Sequence, residues 1–136
     1  MKSKIKNLWE KLYDQENDYL NKVYELIEQR KKEATYIPES KDWFKEGTVY
    51  SLYVDLFAND FTGLTNRLEY LSKLGVQTLW LLPILESPMV DQGFDISDYY
   101  KIREDLGTNQ EFINFLDKAH QKGIKIVFDI AINHTS

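Results

Sequence analysis

The chain has 136 residues, 43% apolar and 14% aromatic, enough to bury one core. A net charge of -5 excludes a basic surface for polyanions, and the lack of cysteine excludes disulfides and thiolate metal sites. No apolar run approaches the ~20 residues of a membrane span and no signal-peptide stretch follows Lys6, so the sequence predicts a cytoplasmic protein without nucleic-acid or membrane partners.

From Ile5 to Ala34 apolar residues fall at Ile5, Leu8, Leu12, then Leu20, Val23 and Ile27, a helical spacing with charges between. This predicts a helical extension in one or two pieces. The mixed charges at Arg30, Lys31, Lys32 and Glu33 read as a solvated helix face. Pro38 ends the pattern, Tyr36 to Lys45 reads as a linker, and the organisation expected is an extension with linker over 1–42 and a domain over 43–136.

Val49 to Phe57 alternates with period two, Tyr50, Leu52, Val54 and Leu56 on one side, and predicts a strand. Leu64, Leu68 and Leu71 then form a helical stripe that closes at Gly75. Thr78 to Ile84 is an apolar strand of the kind buried on both faces in a parallel sheet. A second helix opens at Thr108, where a T-x-x-E capping box reaches Glu111. It buries Phe112, Phe115, Leu116 and Ala119, ends at Gly123, and leads into a last strand from Ile124 to Asn133.

Strand, helix, strand, helix, strand predicts an α/β fold with parallel strands, either an open doubly wound sheet or a (β/α)8 barrel. The 24 residues from Leu85 to Thr108 show neither pattern and read as a functional loop at a strand's C-terminal end. Active sites sit there in both folds.

No G-x-G-x-x-G, P-loop, C-x-x-C or H-E-x-x-H is present, so no cofactor is expected and nucleotide and zinc readings lack support. His120 near a helix C-terminus suits the dipole. His134 follows Asp129 and Asn133, which alternation puts on one side of a strand with Ala131, where a buried Asp needs a partner. Alternatively, that Asp and Asn cap the next loop. The loop acids Glu86, Asp91, Asp95 and Asp98 could serve glycosidic chemistry or form turns, and Phe94, Tyr99 and Tyr100 could stack on a sugar or pack the loop.

Asp129-Ile130-Ala131-Ile132-Asn133-His134 resembles D-x-x-x-N-H, the first signature of the α-amylase family, glycoside hydrolase family 13. Trp43-Phe44-Lys45 before Val49-Tyr50, Leu79-Trp80-Leu81-Leu82-Pro83, Asp91-Gln92-Gly93-Phe94-Asp95-Ile96-Ser97-Asp98-Tyr99 and Gly107-Thr108 agree with it in order and spacing, over residues 43–136. The resemblance implies the first three β/α units of a TIM (β/α)8 barrel, preceded by the α-helical extension. Such enzymes cleave or transfer α-glucosyl units with retention, using an Asp nucleophile on the fourth strand and a Glu acid/base on the fifth.

Residue by residue, the resemblance implies that His134 binds the sugar beside the cleaved bond. Phe94, where the family usually has Tyr, would stack on that sugar, and Asp91 resembles the acid with which exo-acting members hold the non-reducing-end glucose. That favours α-glucosidase, trehalose-synthase or sucrose-acting relatives. Asp129 would orient an Arg on the fourth strand, Asn133 would fix the loop, and Asp98 and Tyr99 would support it. No metal is expected, since Asn59 to Gly63 lacks an acid-rich metal loop, with Asn133 a ligand only in a calcium-dependent enzyme. With three strands of eight and no nucleophile, the chain reads as a barrel truncated after its third strand, inactive alone, whose substrate is an α-glucoside, α-glucan or sucrose-like sugar. The alternative is a self-contained sugar-binding or interaction domain without catalysis.

Overall fold

In the computed structural model, which describes residues 2–13, 18–33 and 42–136, the charged N-terminal segment forms two helices, α1 (Lys2–Tyr13) and α2 (Asp18–Glu33). They belong to the first of two units, Met1–Glu39 and Ser40–Ser136. Asp18 lies in the first turn of α2 and Arg30, Lys31 and Lys32 in its last, complementing the helix dipole. Ion pairs Arg30–Glu33 and Lys31–Glu28, each 3.1 Å, lie on its solvated face. Leu20 is fully buried, whereas Leu8 and Leu12 of the expected stripe stay exposed. Ala34 and residues 36–41 of the expected linker lie outside the described residues; its end, at Trp43–Glu46, forms a short helix, α3.

The second unit begins with β1 (Val49–Leu52), shorter than the strand expected to reach Phe57. After Tyr53 the chain coils into α4 (Val54–Ala58), which buries Val54, leaves Leu56 exposed and turns Asp55 toward Arg103, 3.2 Å away. A tertiary ion pair and one helical turn thus override the period-two pattern. Next come α5 (Phe61–Lys73), β2 (Thr78–Leu81), β3 (Leu85–Glu86), β4 (Asp98–Ile102), a 3-10 turn (Glu104–Leu106), α6 (Asn109–Gln121) and β5 (Lys125–Phe128).

The sheet is parallel in the order β1-β2-β5, with Leu79 between Tyr50 and Ile126 and Leu81 between Leu52 and Phe128. On one face Leu79 and Leu81 join Leu64, Leu68, Leu71, Phe115 and Ala119 in a single core. The Phe61 ring lies 5.1 Å from Phe112 and 5.4 Å from Phe115, tying α5 to α6. Each fully buried Leu or Phe of this core contributes roughly 1.5–3 kcal/mol. On the other face Trp80 and Val127 are exposed, so the expected two-sided burial of Thr78–Ile84 fails at Trp80.

Both later strands are shorter than expected. Pro83 has no amide to donate, so β2 ends and the chain leaves the sheet for the β3–β4 hairpin. β5 then loses its neighbour: the Asp129 amide makes one last bond, 3.0 Å to the Leu81 carbonyl, and residues 129–136 run without regular structure.

Each crossover helix ends in the same device. Gly75 (φ 87°) and Gly123 (φ 72°) take the left-handed conformation, with Val76 bonded back to Leu71 at 3.1 Å and Ile124 to Ala119 at 3.0 Å. Helix α6 also begins as expected. The Thr108 hydroxyl accepts from the Glu111 amide at 3.2 Å, and the Glu111 carboxylate accepts from the Thr108 amide at 2.8 Å. Thr108→Ala should therefore destabilise the chain by about 1 kcal/mol, lowering the urea midpoint without changing the slope. An unchanged midpoint would mean that the box adds nothing to α6.

Candidate functional site

Two loops leave the C-terminal ends of neighbouring strands, one after β2 and one after β5, and together they carry the site residues expected from the sequence, Asp91, Phe94, Asp98, Tyr99, Asp129, Asn133 and His134. The first is more ordered than its sequence suggests. Leu85 pairs with Ile102 and Glu86 with Asp98 in an antiparallel hairpin broken by a bulge, and the chain between them makes the excursion toward Asp91.

Asp95 organises that excursion from within. Its carboxylate accepts from the Ser87 hydroxyl at 2.7 Å, the Val90 amide at 2.9 Å and the Asp91 amide at 3.2 Å. The Ser87 hydrogen bond holds the Asp95 carboxyl below the usual aspartate range; partial desolvation opposes it and the backbone amides assist it. Around this hub the Asp91 carbonyl accepts from the Phe94 amide at 2.9 Å. Gln92 (φ 53°) and Gly93 (φ 92°) are both left-handed, as a type I′ turn requires, so Asp91 and Phe94 are the two corners of one turn. Gly93 is buried, and a Cβ there would lie 2.8 Å from the Pro83 side chain, so the turn seats directly on the end of β2. Asp91 is exposed and Phe94 half-buried.

The second loop is stitched to the first. The Tyr99 hydroxyl lies 2.6 Å from the Ala131 carbonyl and 3.1 Å from that of His134, sharing its proton between them, and the Ser136 amide donates to the Ile96 carbonyl at 3.0 Å. Asn133 Nδ2 is 2.9 Å from His134 Nδ1.

Asp91 and Phe94 are thus brought together, and Tyr99 meets the backbone of His134, whose side chain is exposed. Asp129 is half-buried and Asn133 exposed; because β5 stops at Phe128, the strand alternation expected to align them with Ala131 does not operate. The other acids serve local structure: Glu86 pairs with Lys101 at 3.3 Å and Asp98 accepts from the Tyr100 amide at 2.8 Å. His120 is exposed in the last turn of α6, as its position near a helix C-terminus suggested. Among the described residues no group of three or more His, Asp or Glu side chains is arranged to hold a metal.

Sequence reasoning missed Arg103, which is buried behind the first loop against Asp55, Asp105 and Met89. Only one half of the pair left a signal: Asp55 is a lone acid within the apolar window Leu52–Phe57, whereas Arg103 sits unremarkably in the charged run Arg103-Glu104-Asp105.

The Asp95 hub makes a pH statement. A carboxyl depressed in the folded state adds stability that is complete above the unfolded aspartate value of about 3.9 and is lost as pH falls through the lower folded value. Ser87→Ala removes the largest cause, so an NMR titration should find the Asp95 pKa raised toward the ordinary value and the acid-stable window narrowed. An unmoved pKa would show that Ser87 does not hold the hub.

The model of the α-amylase catalytic domain matches residues 39–136. Among similar proteins, the trehalose synthase/amylase TreS of Mycolicibacterium smegmatis is 41% identical over 110 residues, covering 76% of this chain and 18% of the relative. An oligo-1,6-glucosidase of Heyndrickxia coagulans is 41% identical over 102 residues, 70% of this chain and 18% of its own length. Of solved structures, the trehalose-6-phosphate hydrolase of Bacillus licheniformis gives a TM-score of 0.65 at 42% identity, over 69% of this chain and 18% of that one. A MutB variant in complex with the substrate sucrose gives 0.65 at 34% identity, over 73% of this chain and 19% of that one. The chain therefore spans less than a fifth of the length of these curated relatives. It belongs to the α-amylase family, glycoside hydrolase family 13, and has the fold of the N-terminal β/α units of that family's catalytic (β/α)8 barrel.

Proposed function

We propose that this chain forms the glucose-gripping part of a retaining active site for α-glucosides, and that by itself it binds such a sugar without cleaving it. The observation that supports this reading is the stitching of the loop after β2 to the segment after β5, through Tyr99 to Ala131 and Ser136 to Ile96. Loops at the C-terminal ends of adjacent barrel strands are where such sites are built.

In this reading Asp91 accepts hydrogen bonds from the hydroxyls of a terminal glucose, Phe94 stacks on its apolar face, and a ring N–H of His134 donates to it beside the scissile bond. The nucleophile and the acid/base come from strands beyond β5, with Asp129 orienting an Arg of the fourth strand and Asn133 fixing the loop. The two carboxylates that glycosidic cleavage requires are therefore not supplied by the residues gripping the sugar. Relatives named for trehalose, oligo-1,6-glucosides and sucrose direct the proposal to small α-glucosides with a free non-reducing end. Residues 1–42 serve as a helical extension and linker in this scheme, and the protein works in the cytoplasm. Among the described residues no helix is long and apolar enough to cross a membrane.

Calorimetric titration of the 136-residue chain with sucrose tests the proposal. The chain should bind, Phe94→Ala should weaken binding by about tenfold, a loss of ~1.4 kcal/mol, and an aryl α-glucoside should remain intact in its presence. Binding that ignores Phe94→Ala would remove the stacking role, and hydrolysis by the chain alone would overturn the division between gripping and cleaving.

A further inference from the structure

The turn that carries Asp91 and Phe94 is built from unfavourable backbone. Met89 (φ 61°) and Gln92 (φ 53°) both occupy the left-handed region, which a non-glycine residue holds only where its surroundings over-determine it. Asp95 holds the turn from within. From outside it is held by Arg103, at the far end of β4.

The Arg103 side chain is 5% exposed, and a guanidinium withdrawn from water needs paired charge and satisfied donors. Its Nε and Nη2 make a two-pronged contact with Asp105 at 2.7 and 2.9 Å, and Nη2 also lies 3.2 Å from Asp55 on α4. Nη1 lies 3.0 Å from the Met89 sulfur, and the Arg103 amide donates to the Ile84 carbonyl at 2.9 Å. One residue therefore touches the stem that enters the loop, the first left-handed residue of the turn, and the helix that follows β1. Burial opposes its charge, but the bonds to Asp105 and the charge of Asp55 prevail and raise its pKa, so it stays cationic. A second link runs parallel: Tyr53, between β1 and α4, places its hydroxyl 3.4 Å from the Gln92 side chain.

We propose that Arg103 is a positioning residue that fixes the Met89–Phe94 turn relative to α4 and so presents Asp91 and Phe94 in sugar-binding geometry. This rests on the reading of those two residues as sugar contacts. A thioether is a weak acceptor, so the contact with Met89 acts through geometry: the fork on Asp105 and Asp55 leaves the guanidinium one orientation, and the third nitrogen marks where Met89 must sit.

The test uses the full chain and two variants. Arg103→Lys keeps the charge and loses the planar fork; Met89→Leu keeps the volume and loses the sulfur. Amide exchange at Val90 and Asp91 reads the turn directly, amide exchange within β2 serves as the internal control, and sucrose titration reads the site. Arg103→Lys should speed exchange at Val90 and Asp91 with β2 unchanged and raise the sucrose Kd by about tenfold, with Met89→Leu moving both in the same direction by less. Wild-type protection of Val90 and Asp91 in Arg103→Lys would overturn the proposal. Should that variant unfold, wild-type protection in Met89→Leu would overturn it. A wild-type chain that binds no sucrose would remove the functional reading, while the exchange comparison would still decide whether Arg103 holds the turn.

Discussion

Parallel pairing governs everything else in this unit. Two parallel strands can be joined only by a crossover that returns the chain to its starting edge, so β1, β2 and β5 all release it on the same side. Helices α5 and α6 make the return journeys, and their Leu and Phe stripes bury one face of the sheet. The Schellman glycines at 75 and 123 end each journey where the next strand must begin. Register then places the end of β2 beside the end of β5, and two loops with no sequence pattern in common become neighbours.

How those loops are held matters as much as where they start. The loop after β2 carries left-handed residues at Met89 and Gln92, and such backbone costs of order 1–3 kcal/mol per residue and persists only where surrounding contacts offset it. Three donors converge on Asp95, Gly93 rests against Pro83, and the Tyr99 hydroxyl fastens the far side to the segment after β5. An exposed carboxylate and a half-buried aromatic ring on a braced turn lose little conformational freedom on binding, which favours recognition of a small, rigid ligand.

Much of this was legible in the sequence where local chemistry decides the outcome. The capping box at Thr108 and the glycine stops at 75 and 123 depend on groups within one turn, and they formed as expected. Strand lengths were less legible because partners set them. The alternation from Val49 to Phe57 fits a strand throughout, yet α4 interrupts it to pair Asp55 with Arg103, nearly fifty residues away. Likewise β5 stops at Phe128 because Pro83 has diverted its neighbour. The long loop announced itself by lacking a pattern, but β3 is only two residues long with a bulge beside it, too brief for any periodicity. Asp91, Phe94 and His134, the proposed sugar contacts, were expected from motif resemblance, whereas Arg103 carries no motif and stands out only by its burial.

In the proposed function a terminal glucose is held between the turn at Asp91–Phe94 and the segment ending at His134. Backbone amide shifts recorded during titration of the chain with methyl α-glucoside test it most directly. Saturable shifts should concentrate at residues 91–98 and 130–136, with the amides of α5 and α6 unmoved. Shifts confined to the groove between those helices, beside Thr62, Asn66 and Asn114, or none at 91–98 at saturating sugar, would contradict it.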